Sequence, residues 1–284
     1  MIEYKDQQVK PSKYAVVRWF GFDQFVPERA VTSYWVSPKA LFIIRLLLAL
    51  YTTIVFWTFL ALTAVFSDLR RFFSAFTTLT FIGLHGYLIT ACVHLFRYLR
   101  HKNVDFLLNQ APILSYLYMY LYSTIITFNI LTPAVFWSIL NNEAFWVRFT
   151  AEVGQVPPII IMWINVSVHG VTFFIMFIDV IFNRMKMPIR LVLFVFFTVV
   201  FYMCLAFIIF ATTDRWVYPF LDWSKGPSAA IWYIAVAGIV VVGFFIMVFL
   251  HWFRDVIARK VGRAAVCPIC PMPEEAKHFL TSQV

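Results

Sequence analysis

Apolar runs of about twenty residues recur along this chain, and they restrict its fold more than any other feature. One of them, "LVLFVFFTVVFYMCLAFIIF" from Leu191 to Phe210, contains no charged residue. A helix of that length crosses a hydrocarbon layer about 30 Å thick. The runs are continuously apolar rather than alternating, which excludes an outer-membrane barrel. Across 284 residues, 62% are hydrophobic and only 13% charged, too few charges to cover a water-soluble domain of this size. The expected fold is all-α, a polytopic bundle of six transmembrane helices. The predicted spans are Leu41–Phe66, Phe72–Phe96, Ala111–Leu140, Pro157–Phe182, Ile189–Thr212 and Ala229–Trp252.

Three regions follow from those spans: an amino-terminal tail over 1–40, a six-helix domain over 41–252 and a carboxy-terminal tail over 253–284. The first tail begins with no short basic stretch of the secretory kind, so the first span is expected to act as its own insertion signal. Its segment "YAVVRWFGFDQFVPERAVTSYWV", Tyr14–Val36, mixes Arg18 and Arg29 with Trp19, Phe20, Phe22, Phe25 and Trp35. That mixture suits docking in the headgroup layer. Placing both termini on one side puts seventeen Lys and Arg there, against Arg70, Arg71, Arg148, Arg215 and Lys225 on the other. The positive-inside rule then makes both termini cytoplasmic. The net charge of +9 reflects topology and attraction to anionic lipid, and needs no nucleic-acid partner. Arg45, just inside the first span, is expected to snorkel to the cytoplasmic face. The expected location is an integral, multi-pass one in the endoplasmic reticulum or plasma membrane, a choice that cation counting leaves open.

Polar side chains inside apolar spans are costly unless paired, which makes them functional candidates. Within "AFTTLTFIGLHGYLIT", Ala75–Thr90, stand four threonines and His85, with His94 one turn further on. The third span holds Ser123, Thr124, Thr127 and Asn129. In the fourth, Asn165, His169 and Thr172 share one helical face. Asp179, near that span's inner end, is expected to pair with Arg184 or to sit among headgroups. The ordinary role of a threonine in such a helix is a bond to a carbonyl three or four residues back. A neutral imidazole at mid-depth, in contrast, needs partners for both nitrogens.

Other signatures are incomplete. No Gly-x-Ser-x-Gly elbow or His-Glu-x-x-His pair occurs. No metal site or cofactor is expected. The "CPIC" run, Cys267–Cys270, is half of a zinc pattern and reads as free or acylated thiols. "NVS" at Asn165–Ser167 matches a glycosylation pattern but lies within a span. The terminal Ser282-Gln283-Val284 fits a cytoplasmic PDZ-type partner, although such short patterns are common by chance.

Three pieces carry a family resemblance: "TLTFIGL" at Thr78–Leu84, "WINVSVHGV" at Trp163–Val171 and "RWVYPFLDWSKGP" at Arg215–Pro227. In order and spacing across six spans they resemble the androgen-induced family of integral-membrane threonine hydrolases, which includes the androgen-dependent TFPI-regulating proteins. The resemblance implies an intramembrane hydrolase that cleaves fatty-acid esters of hydroxy fatty acids. It places the nucleophile on Thr80 and the base on His169. Asn165, Trp216 and Tyr218 would bind or orient the substrate, and the Asp214–Tyr218 connector would cover the opening. The chain departs from the family pattern at Phe76 and Thr77, where a Trp-Lys pair is frequent, and at Val166, where His is frequent. A non-enzymatic lipid-binding or scaffold protein is the alternative. In that case the same polar stripe is a structural hydrogen-bond network.

Overall fold

A computed structural model describes residues 6–143, 145–147 and 155–264. It contains six helices long and apolar enough to cross a membrane: α1 Pro38–Phe66, α2 Phe76–His101, α3 Pro112–Leu140, α4 Pro158–Phe182, α5 Ile189–Thr213 and α6 Pro227–Lys260. There is no strand among the described residues. Each expected span is found, with different ends. Pro38 at the first helical turn starts α1 three residues early, because its missing N–H is unneeded there and Ser37 caps the turn by accepting from Ala40 N–H. Residues Leu69–Ser74 form a separate short helix capped by Asp68, so α2 starts at Phe76 rather than Phe72. The last helix runs two turns past Trp252, where hydropathy falls but helical propensity does not.

The order of packing follows from the buried faces. α3 is central and touches α2, α4, α5 and α6, while α1 packs along α2. α5 is the least buried helix, and its outer face exposes residues such as Phe201 (71%). Ile54 on α1 and Ile234 on α6 are as open. Such a continuous apolar exterior is unsuited to water and suited to lipid.

Residues 6–37 form a compact cap on one end of the bundle. Val9 N–H donates to Phe25 C=O, Ser12 N–H donates to the Asp23 carboxylate, and Asp6 pairs with both Arg29 and Arg184. Phe22 and Phe25, expected among headgroups, are buried in the protein, whereas Trp19 is half exposed. Both described chain ends lie at this end, since Arg263 donates to the carbonyls of Tyr34 and Trp35.

Arg45 does not snorkel. It is fully buried, and its Nε donates to Asp179 at 2.6 Å, a pairing across 134 residues that local reading could not supply. Asp179 therefore pairs with Arg45 rather than Arg184. Its other oxygen accepts from Tyr87 Oη at 2.7 Å and Asn183 Nδ2 at 2.9 Å. Arg45 Nη1 donates to Ala30 C=O, which ties the cap to the bundle. The network continues through Tyr122, which accepts from Asn183 and donates to His251, and through Arg254, which donates to Asn183 Oδ1 and Met185 C=O. A membrane interior offers no water to satisfy these groups, so they satisfy one another.

Candidate functional site

The fourth span is not a continuous α-helix. Residues Ser167–Val171 form a π turn between Pro158–Val166 and Thr172–Phe182, and His169 sits within it. A second π turn, Phe136–Leu140, ends α3 just after Pro133, which cannot donate the helical hydrogen bond at its position. The two turns meet. The Phe136 ring stacks on the His169 imidazole at 3.8 Å and 7° between planes, and Trp137 Nε1 donates to His169 C=O at 3.0 Å. Such turns insert a residue into a helix and recur at functional positions. Nothing in the hydropathy of "SVHGV" marks one in advance.

His169 is 9% exposed, and its Nδ1 is buried without a hydrogen-bond partner. Asn165 and Thr172 are buried beside it on the same helix, as the spacing predicts. Neither bonds the ring: Asn165 Nδ2 donates back to Ile161 C=O and Thr172 to Val168 C=O. Asn165 therefore does not orient the imidazole in this structure.

The π turn packs against α2, which carries Thr80. Thr80 is 5% exposed, and its hydroxyl forms no hydrogen bond among the described residues. This sets it apart. Thr53, Thr63, Thr90, Thr127 and Thr213 each donate to the carbonyl four residues back, the ordinary role expected of them. The answer for the threonine-rich stretch is thus divided: Thr90 is structural, and Thr80 is unengaged. No hydrogen bond joins Thr80 to His169. Two histidines of α2 have other neighbours: His85 Nδ1 meets Thr52 Oγ1 at 3.1 Å, and His94 lies against Tyr118 and Phe106.

A cavity of about 270 Å³ opens beside these residues, between the start of α2, the end of α3, α5, α6 and the 218–221 connector. Tyr218 lines it, and so do Phe76, Thr77, Thr132 and Phe136, but neither Thr80 nor His169 does. Tyr218 also stabilises the start of α2, which has no side-chain cap from its own N-cap residue. The Tyr218 hydroxyl oxygen accepts from Thr77 N–H at 3.4 Å, and that of Tyr202 accepts from Phe76 N–H at 3.1 Å. Burial pushes the Tyr218 phenol up from its ordinary value, so it is a neutral hydroxyl at physiological pH. Trp216 is placed differently. It stacks on Phe210 of α5 at 4.2 Å and lies outside the cavity wall. The 214–226 connector thus covers the cavity through Tyr218, Phe220 and Leu221.

Among the described residues no cluster of His, Cys, Asp and Glu can hold a metal ion. Cys267, Cys270 and Ser282–Val284 lie outside the described residues. Compared with known protein families, curated proteins and solved structures, the chain matches none.

Proposed function

We propose that the chain is an intramembrane lipid-ester hydrolase, cleaving fatty-acid esters of hydroxy fatty acids with Thr80 as nucleophile and His169 as base. The observation that carries this reading is a pair of unengaged groups: the hydroxyl of Thr80, a 5% exposed residue on α2, and a buried imidazole nitrogen on the π turn packed against it. Buried polar groups normally find partners, so those that do not are candidates for chemistry. In the reaction, His169 takes the proton as Thr80 Oγ1 forms a bond to the ester carbonyl carbon. The imidazolium then gives that proton to the departing alkoxide, leaving an acyl-threonine. Water, deprotonated by the neutral imidazole, attacks the acyl carbon, and the proton returns to Thr80 as the fatty acid leaves. Thr80 and His169 must approach within hydrogen-bond reach when substrate is bound, since catalytic contacts are often long without it. In the membrane, the cap and both termini face the cytoplasm.

One observation favours the second reading, a lipid-binding protein without turnover: the cavity wall includes neither Thr80 nor His169. Covalent labelling by an alkyl fluorophosphonate separates the two. The hydrolase reading expects labelling of the wild-type protein and its loss in Thr80→Ala. Equal labelling of folded wild type and Thr80→Ala removes Thr80 from the chemistry.

A further inference from the structure

We propose that the cavity between α2, α3, α5 and α6 holds a single fatty acyl chain, with the Thr132 hydroxyl as its polar contact and the Phe136 ring as the wall between the chain and His169. The acyl-chain assignment stands on the cavity itself. The role of Phe136 as a gate rests on the hydrolase reading.

The walls choose the ligand class. Leu131, Val135, Phe196, Val199 and Met203 are among the apolar side chains that line it, and no charged side chain does. An ion or a polar metabolite would lose its hydration there without compensation. The tyrosine hydroxyls are already engaged: Tyr202 donates to Ser74 C=O and accepts from Phe76 N–H, and Tyr218 accepts from Thr77 N–H. Thr132 is different. It is 5% exposed, and its Oγ1 is buried without a partner although it lines the cavity. Most other threonines of these helices donate back to their own helix. The site therefore offers long apolar walls and, in Thr132, a hydroxyl without a partner, which matches a hydrocarbon chain carrying one carbonyl. Water is a poor occupant, because it needs two to four polar partners.

The route of entry is also visible. Ile234 lines the cavity, yet it is 73% exposed on the outer face of α6. The cavity thus reaches the apolar exterior of the bundle, where membrane lipid would lie, and a chain can enter sideways. At the other extreme stands Phe136. It is 1% exposed, it lines the cavity, and its ring stacks on the imidazole at 3.8 Å. Swinging this ring away joins the cavity to His169. Its position at the first residue of a π turn, three residues after Pro133, places it where the helix is least regular.

The test is photolabelling of the purified full chain in nanodiscs by a sixteen-carbon fatty acid with a diazirine near its terminal methyl, read by peptide mass spectrometry. Label is expected on residues 131–140, 196–203 and 233–237. Ala237→Phe and Val200→Phe each fill part of the cavity. Either should lower this labelling at least about tenfold, the loss expected when about two methylenes lose their burial. Val93→Phe, on the exposed face of α2, should leave it unchanged. Phe136→Ala should extend the label to residues 167–171. Labelling elsewhere, undiminished labelling in both folded filling variants, or displacement by a sterol but not by unlabelled fatty acid overturns the acyl-chain site. Failure of Phe136→Ala to extend the label overturns the gate. The readout needs no turnover, so a protein labelled in the cavity but inactive on esters retains this site and loses the hydrolase reading. A Thr80-dependent hydrolase labelled elsewhere does the reverse.

Discussion

Removing Asp179 should be among the most damaging single changes outside the candidate site. Asp179→Leu deletes the carboxylate that Arg45 Nε holds at 2.6 Å, with neither side chain exposed. The stranded guanidinium keeps Ala30 C=O and a marginal 3.5 Å contact to Tyr87 Oη, neither of which supplies a countercharge. Breaking a buried pair in this way costs about 3–5 kcal/mol, and full burial leaves no solvent screening to discount. Arg45→Met should cost less, because the remaining carboxylate keeps Tyr87 and Asn183 as donors. The double variant removes both charges. Its cost should fall to about 1–3 kcal/mol, from donors and acceptors such as Ala30 C=O left unpaired. Reversible unfolding of the four proteins in mixed micelles closes a double-mutant cycle. The double variant should be more stable than Asp179→Leu alone. If the single costs simply add, or if Asp179→Leu costs under about 1 kcal/mol, the pair is not the buried ion pair described.

Further outcomes are expected. Thr80→Ala and His169→Ala should each abolish ester hydrolysis, with the double variant no worse than either, because nucleophile and base act as one unit; Thr80→Ser should retain part of the activity, since a hydroxyl remains. An active, folded Thr80→Ala protein in a lipid-ester turnover assay would move attention to Thr77 and Thr78. Cysteines placed in 99–106 or 184–190 should react only with reagents on the cytoplasmic side, and those in 213–227 only from the other; the opposite pattern would invert the proposed topology. Tyr218→Phe removes the acceptor for Thr77 N–H and should lower stability by about 0.5–1.5 kcal/mol in the same micelle titration.

The six long helices were legible because hydropathy alone reports them, and the π turns were not, because the inserted residue leaves no trace in composition. Val166, Ser167 and Val168 look like any other part of a span. The face shared by Asn165, His169 and Thr172 was readable from spacing, yet their hydrogen bonds were not. Asn165 was read as binding or orienting the substrate, and its amide bonds Ile161 C=O. Thr80 and Thr90 are indistinguishable as letters in a span; only packing shows that one donates to its helix and the other does not. Arg45 was read as snorkelling to the membrane face and Asp179 as pairing with Arg184 or sitting among headgroups, and the helices that bring the two together are separated in sequence by two others. His251, Tyr87 and Tyr122 were passed over as ordinary span residues. The signal available for them was only their polarity within apolar runs.

α4 carries both a fixed point and an irregular turn, and this arrangement yields one more expectation. Asp179 holds the helix to α1 through Arg45, and about 18 Å along the axis Ser167 holds it to α1 again. Ser167 Oγ donates to Trp163 C=O at 2.6 Å, so its 2.7 Å contact with Tyr51 must use the tyrosine proton. His169 lies between these points, two residues from the second. With both clamps closed the helix cannot roll, and the imidazole can meet Thr80 only through side-chain motion or a shift of α2. Tyr51→Phe opens the nearer clamp and leaves the other in place. The global cost should be small, about 1 kcal/mol for one hydrogen bond, since Ser167 keeps its acceptor. The effect on ester turnover should be larger than on stability and should fall on kcat with KM nearly unchanged, because the lost contact positions the base rather than the chain. Tyr51→Phe with wild-type kcat, or with a rise in KM alone, would show that the roll of α4 does not limit the approach of His169 to Thr80.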